Sequence, residues 1–197
     1  MTPNTITETS EAAMPSPHRW TRDDYYRLGD LGFFPPEIRV ELIDGEIIET
    51  MSPQKTPHTV TLHAVVHALR SAFGGDTYIR EQSPMTLADT SEPEPDILVA
   101  RGTFHDYKDR HPGPADTLLL VEISDSTLTY DRTRKAALYA ASGVGEYWIV
   151  NVAARELEVR RSPQAGSYQE ASVYYDTQSI TPLSAPEAVI AVTDLFP

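Results

Sequence analysis

The segment LLLVEIS, which starts at Leu118, is almost entirely apolar but carries one carboxylate, Glu122. Alternation along a strand would place Glu122 on the same face as Ser124. A charged group in a buried strand costs several kcal/mol unless it is paired, protonated or bound to a metal. Glu122 is therefore the first candidate for a catalytic or metal-binding role.

A second candidate carboxylate, Asp96, begins the short apolar segment DILVA directly after Pro95. This position predicts a carboxylate at a strand end rather than deep in the core. Two carboxylates on neighbouring strand ends repel each other unless a cation lies between them, and hard oxygen ligands suit Mg²⁺ or Mn²⁺. The residues alone leave an alternative open, in which Asp96 caps a loop and Glu122 pairs with an arginine.

Lys135 lies in the helix predicted after the Glu122 strand, and Tyr139 follows four residues later on the same helix face. Because this helix leaves the same end of the sheet, the ammonium group of Lys135 can reach both carboxylates. A lysine beside a metal-bound water can orient or deprotonate that water and can stabilise charge on a phosphate. The alternative is a solvated lysine on the helix surface. Even if Lys135 acts beside a metal, its replacement by alanine is expected to leave the fold and metal binding largely intact, because a helix-surface lysine usually contributes less than about 0.5 kcal/mol.

The remaining polar candidates are weaker. Glu41 lies in the segment VELIDGE. Strand alternation is compatible with a solvent-exposed position for its side chain on an edge strand. His63 and His67 are four residues apart on one predicted helix face, as zinc ligands would be, but the glutamate of zinc proteases and a third ligand are missing. His58 is predicted to be a buried, hydrogen-bonded histidine rather than a ligand.

The elements that position these residues follow from local signals. Thr21 is a predicted N-cap with Asp24 three residues later, and Asp44-Gly45 is a hairpin signal between two extended segments. Over residues 56–152 the predicted order is helix, strand, strand, strand, helix, strand, and the second of these helices is predicted to begin near Asp131. The continuous apolar segments predict strands buried on both faces, hence a mixed sheet in an α/β sandwich.

Length and composition limit the domain organisation. The chain has 197 residues and no cysteine, which excludes disulfides and thiolate chemistry and is compatible with a reducing cytoplasm. No apolar segment approaches the roughly 18 residues that a membrane span needs. Residues 1–17 are polar and rich in Pro, Ser and Thr, which predicts a disordered tail that is dispensable for folding. Residues 18–197 are predicted to form a single domain.

The formal net charge of −13 bears on the function. It argues against a protein that coats nucleic acid through a broad basic surface. It does not exclude an enzyme that approaches phosphates through metal ions and a local basic patch.

The segment YDRTRKAALYAASGVGEYWIVN resembles a signature in which an aspartate, a lysine, a tyrosine and GV-EYW recur in that order. Together with VELIDGEII, SP…H, PDILV and LVEIS, it is similar to the Uma-type putative restriction endonuclease family. This family is abundant in bacteria and belongs to the PD-(D/E)XK nuclease superfamily. The resemblance runs from about Tyr25 to Arg160. It implies a restriction-endonuclease-like mixed β-sheet flanked by helices, with core order αβββαβ, an N-terminal helix and a β-hairpin.

The resemblance also implies residue roles. Asp96 would be the aspartate of the PD motif and Glu122 the acidic residue of the second motif, both as metal ligands. The superfamily's usual pattern has a lysine two positions later, where this chain has Ser124. Some members carry that lysine on the adjacent helix, and Lys135 is placed for this role. Glu41 is the additional acid that the resemblance implies as a metal ligand.

These observations lead to one main hypothesis and two alternatives. The main hypothesis is a cytoplasmic endonuclease that uses Mg²⁺, or Mn²⁺ in its place, to hydrolyse phosphodiester bonds of DNA, with no membrane partner and with a homodimer left open. The first alternative is a non-catalytic domain that keeps the fold and binds nucleic acid or a protein partner, which the acidic balance favours. The second is a zinc hydrolase that uses the HAVVH helix.

Overall fold

A computed structural model describes residues 16–50 and 55–197, so the predicted tail lies outside the described residues except for residues 16 and 17. The strands are β1 Arg39–Ile43, β2 Glu46–Thr50, β3 Thr77–Glu81, β4 Ile97–Arg101, β5 Thr117–Ser124, β6 Glu146–Asn151, β7 Glu156–Gln164, β8 Ser167–Tyr175, β9 Ser179–Ile180 and β10 Ile190–Ala191. The α-helices are α1 Arg22–Asp30, α2 Thr56–Phe73, α3 Leu128–Tyr130 and α4 Ala136–Ala141. Short 3₁₀ turns lie at Phe104–Tyr107, Pro114–Asp116 and Val192–Leu195.

Strands β3 to β8 form one mixed sheet in that order. Strands β5 and β6 run parallel, and the other neighbouring pairs of this sheet are antiparallel. A parallel pair requires a crossover connection, which the helical segment between β5 and β6 supplies. All residues of β6 are buried, as the apolar segments predict for strands covered on both faces.

Two hydrophobic cores lie on opposite faces of the sheet. One core packs α2, through Leu62, Val65 and Leu69, against alternate residues of β4, β5 and β6. The other packs α4, through Leu138 and Tyr139, against the remaining residues of the same strands. The predicted mixed α/β sandwich, with core order αβββαβ, is therefore confirmed.

The N-terminal helix and the hairpin also form as predicted. At the start of α1, the Asp24 backbone N–H donates to Thr21 Oγ1 (3.2 Å) while the Thr21 N–H donates to Asp24 Oδ2 (3.2 Å), which is a capping box. The hairpin β1–β2 turns at Asp44 and Gly45, both with positive φ (51° and 73°), as a tight two-residue turn requires. The hairpin brings Glu41 toward the end of the main sheet.

The helical segment between β5 and β6 differs from the prediction. It begins at Leu128 rather than near Asp131, and residues Asp131–Lys135 form a π-helical turn in which the Ala136 N–H reaches the Asp131 carbonyl. The acidic side chain that suggested a first turn instead accepts hydrogen bonds from the Ser124 and Thr127 hydroxyls, 2.6 Å each. A π-helical turn changes which side chains share a helix face, and here Asp131 and Lys135 both point toward the sheet and are buried.

Candidate active site

One pocket of about 310 Å³ is lined by all four residues that the sequence analysis selected, Glu41, Asp96, Glu122 and Lys135. They come from four separate parts of the fold: the hairpin, the residue before β4, the strand β5 and the helix that follows β5. Sequence reasoning therefore selected residues that the fold does bring together.

Asp96 and Glu122 hold each other across adjacent strands. The Asp96 backbone N–H donates to Glu122 Oε2 (3.3 Å), and the Ile123 backbone N–H donates to Asp96 Oδ2 (2.8 Å). Asp96 lies one residue before β4 instead of opening it, which is a small correction to the predicted strand. Its side chain remains 15% exposed, so a ligand in the pocket can reach it.

Lys135 lies between two carboxylates. Its Nζ donates to Glu122 Oε1 at 2.9 Å and to Glu41 Oε1 at 3.4 Å. The residue is only 6% exposed, so the alternative of a solvated lysine on the helix surface is wrong. This burial also argues against the expectation that its loss would hardly affect stability, because removing one partner of a buried ion pair is costly.

Glu41 is buried as well, with 5% of its surface exposed, so the alternative of a solvent-facing edge position is also wrong. Hairpin strand β1 does not extend the main sheet. It is covered by other parts of the chain, including an isolated bridge from Leu42 to Glu92. Alternation along one strand could not predict this packing.

Two further residues hold Asp96 in place. His58 Nε2 lies 3.2 Å from Asp96 Oδ2, and Gln82 Nε2 donates to Asp96 Oδ1 at 3.3 Å. His58 is a hydrogen-bonded histidine, as predicted, but its contact with Asp96 was not foreseen. The signal for His58 was its position one turn before Leu62, on the helix face that packs on the sheet. No sequence signal pointed to Gln82.

Ser124 occupies the position at which the superfamily's usual pattern has lysine. It is buried, and its hydroxyl donates to Asp131 Oδ2 (2.6 Å) rather than facing Glu122. A lysine at this position would displace that hydrogen bond. The cationic side chain that contacts the carboxylates is Lys135.

Burial in the pocket raises the pKa values of several acidic side chains. Burial raises the pKa of Glu122 to about 8; the Lys135 ammonium opposes this shift, while the neighbouring Asp96 carboxylate adds to it. Burial also raises the pKa values of Glu41 and Asp131, again against the effect of Lys135. The Lys135 ammonium thus offsets only part of the effect of burial on these carboxylates.

Asp96 and Lys135 behave differently from the other acids. Burial alone would raise the pKa of Asp96, but the hydrogen bond and charge of His58, together with the Ile123 N–H, lower it below its usual value. Burial would lower the pKa of Lys135, but the charges of Glu122 and Glu41 raise it well above the ordinary value. Asp96 is therefore ionised and Lys135 is protonated near neutral pH.

The residues present fit a hard divalent cation such as Mg²⁺. Their donor atoms are carboxylate oxygens, the type that such ions prefer. Glu41 Oε2, His58 Nδ1 and Tyr130 OH are buried without a hydrogen-bond partner among the described residues, and all three residues line the pocket. Within residues 16–50 and 55–197, no three His, Asp or Glu side chains are already gathered at metal-binding distance. The Lys135 ammonium lies between Glu41 and Glu122 and contacts both.

The zinc alternative finds no support in the geometry. His63 and His67 are both exposed on α2, on the side away from the sheet. In the part of the chain that the structure describes, no third ligand joins them.

Comparison with known proteins gives a family and a fold. The family model described as "Uma2: Putative restriction endonuclease" matches residues 22–193. A crystal structure described as that of a putative nuclease belonging to DUF820 from Anabaena variabilis ATCC 29413 superimposes with a TM-score of 0.67, at 21% sequence identity, over 89% of this chain and 97% of that chain. At this identity the likeness shows a shared fold. No curated protein matches the chain in sequence.

None of the described helices is long and apolar enough to cross a membrane. The longest of them, α2, alternates buried apolar residues with exposed polar ones, as a helix packed on a sheet does.

Proposed function

Because the chain belongs to the Uma2 family of putative restriction endonucleases, we propose that it is a magnesium-dependent endonuclease that hydrolyses phosphodiester bonds of DNA. One observation carries the proposal: three carboxylates from separate elements line one pocket around a buried lysine. A buried arrangement of this kind costs stability, so it is expected to be retained for binding or chemistry.

We assign the metal ligands by their accessibility. Asp96 is the primary ligand because it is ionised and partly exposed. Glu122 would bind the ion through Oε2, because its Oε1 already accepts two hydrogen bonds. Glu41 would bind it through Oε2, which has no hydrogen-bond partner among the described residues. A bound Mg²⁺, or Mn²⁺ in its place, supplies a water of lowered pKa and screens the charge of the phosphate.

Lys135 would act as a fixed positive charge. Glu122 and Glu41 raise its pKa well above the usual value, which favours the protonated form near neutral pH. Of the two roles considered from the sequence, proton abstraction is therefore disfavoured. The ammonium would orient the attacking water and stabilise the charge that develops on the phosphate.

The charge of the residues that line the pocket is relevant to substrate binding and to the alternative of a non-catalytic domain. Seven acidic and three basic side chains line the pocket, together with His58, so a nucleic acid is repelled unless cations bind first. The same acidity supports the alternative of a non-catalytic domain. The cytoplasmic location and the homodimer stay predictions; the absence of cysteine is compatible with the former.

Metal binding separates the proposal from this alternative. Titration of the wild type with Mn²⁺, followed by calorimetry or by electron paramagnetic resonance, is expected to show saturable binding. The variant Asp96→Ala is expected to weaken it by more than about tenfold, because even the partners of metal ligands contribute 10–100-fold to affinity. Asp176→Ala is the matched control, since Asp176 is also an ion-paired aspartate but belongs to a surface contact with Arg155. Equal binding by all three proteins would contradict the proposed ligand.

A further inference from the structure

Tyr139 makes a contact with the site that the proposed function does not use. Its hydroxyl donates to Glu122 Oε1 at 2.7 Å, the same oxygen that accepts the Lys135 ammonium at 2.9 Å. The other oxygen of Glu122 faces the Asp96 backbone N–H at 3.3 Å. Oε1 of Glu122 therefore faces the helical segment that carries Lys135 and Tyr139, and Oε2 faces Asp96.

The ring of Tyr139 is held by packing rather than by this hydrogen bond. The side chain is fully buried, and its ring meets the Tyr147 ring edge-on with centroids 5.1 Å apart. Tyr147 in turn stacks on Tyr168 at 6.0 Å. Because neighbouring rings fix its position, the hydroxyl of Tyr139 is a rigid donor, whereas the Lys135 ammonium is shared between two carboxylates.

We propose that Tyr139 is a positioning residue of the metal site, whose hydroxyl fixes the Glu122 carboxylate so that Oε2 alone is presented to the ion. The inference rests on the proposed metal-binding function and deepens it. Without the hydroxyl, the carboxylate could rotate and exchange its two oxygens between Lys135 and the ligand. Groups that orient a metal ligand in this way typically contribute 10–100-fold to metal affinity.

The test compares two buried tyrosines that differ in what their hydroxyls contact. Tyr139→Phe removes the donor to Glu122, and Tyr147→Phe removes a donor to the Asp131 backbone carbonyl (3.1 Å). Both variants keep their rings and lie in the same aromatic cluster. We expect the dissociation constant for Mn²⁺ to rise by about 10–100-fold in Tyr139→Phe and to stay close to that of the wild type in Tyr147→Phe. Thermal unfolding checks that both variants fold.

A second readout separates positioning from a general loss of structure. In cleavage of DNA at saturating Mn²⁺, Tyr139→Phe is expected to lower kcat while leaving the KM for DNA nearly unchanged. Equal Mn²⁺ affinities for wild type and Tyr139→Phe would overturn the inference and leave the proposed function intact. Equal losses of Mn²⁺ affinity in Tyr139→Phe and Tyr147→Phe would do the same. A wild type that binds no divalent ion would overturn the proposed function, and the inference with it.

Discussion

Replacing Lys135 with methionine is expected to lower the turnover of DNA cleavage by about 10²–10³-fold, the loss typical of removing one group that stabilises charge in a transition state. Methionine keeps most of the volume of the lysine stem and removes the charge. The ammonium contacts Glu122 and Glu41, and only 6% of the Lys135 surface is exposed. Single-turnover kinetics with a labelled duplex at saturating Mg²⁺ measure the loss.

The matched control is Arg132→Met. Arg132 lies three residues earlier on the same helical segment and pairs with Glu158 on β7, away from the pocket. This variant removes a cation and an ion pair without touching the site, so its turnover should match that of the wild type. Full activity of Lys135→Met, or equal losses in both variants, would contradict the role given to Lys135.

Replacing Glu122 with glutamine is expected to weaken metal binding, to abolish cleavage and to destabilise the fold. Glutamine preserves the shape and still accepts the hydrogen bond from Tyr139, but it leaves Lys135 with Glu41 as its one carboxylate partner. Breaking a buried ion pair from one side costs about 3–5 kcal/mol. Urea unfolding measures the free energy of unfolding, and the same preparation serves for the metal titration.

The double variant Glu122→Gln/Lys135→Met provides the control for this prediction. Removing both charges of a buried pair is often neutral or stabilising, so the double variant should be more stable than either single variant while remaining inactive. This outcome would show that the pair is retained for function rather than for stability. If the losses of the two single variants simply added, Glu122 and Lys135 would not interact as the structure indicates.

The fold was largely predictable because its signals are local. The capping box at Thr21, the turn at Asp44-Gly45 and the apolar segments of β4, β5 and β6 each depend on a few neighbouring residues. The family resemblance implied the same element order. The start of the helical segment at Leu128 was missed because Asp131 carries an acidic first-turn signal but is held by Ser124 and Thr127 instead.

The residues of the site could be predicted from the sequence, but the contacts between them could not. Strand ends and the following helix indicated that Asp96, Glu122 and Lys135 would come together. The burial of Lys135 depends on the π-helical turn and on the hairpin that carries Glu41, and both are set by packing between distant segments. The hydrogen bond from Tyr139 to Glu122 likewise depends on tertiary packing, which the periodicity of a single sequence does not encode.

Cleavage of DNA by the wild type tests the central claim most directly. A labelled duplex is incubated with the protein and Mg²⁺, then with Mn²⁺, and in parallel with EDTA and with the Asp96→Ala variant. The account predicts that shortened products accumulate with either ion for the wild type and are absent with EDTA and with Asp96→Ala. Intact DNA under every metal ion tried, from a wild type that is folded and binds metal, would contradict the claim and favour a non-catalytic binding domain.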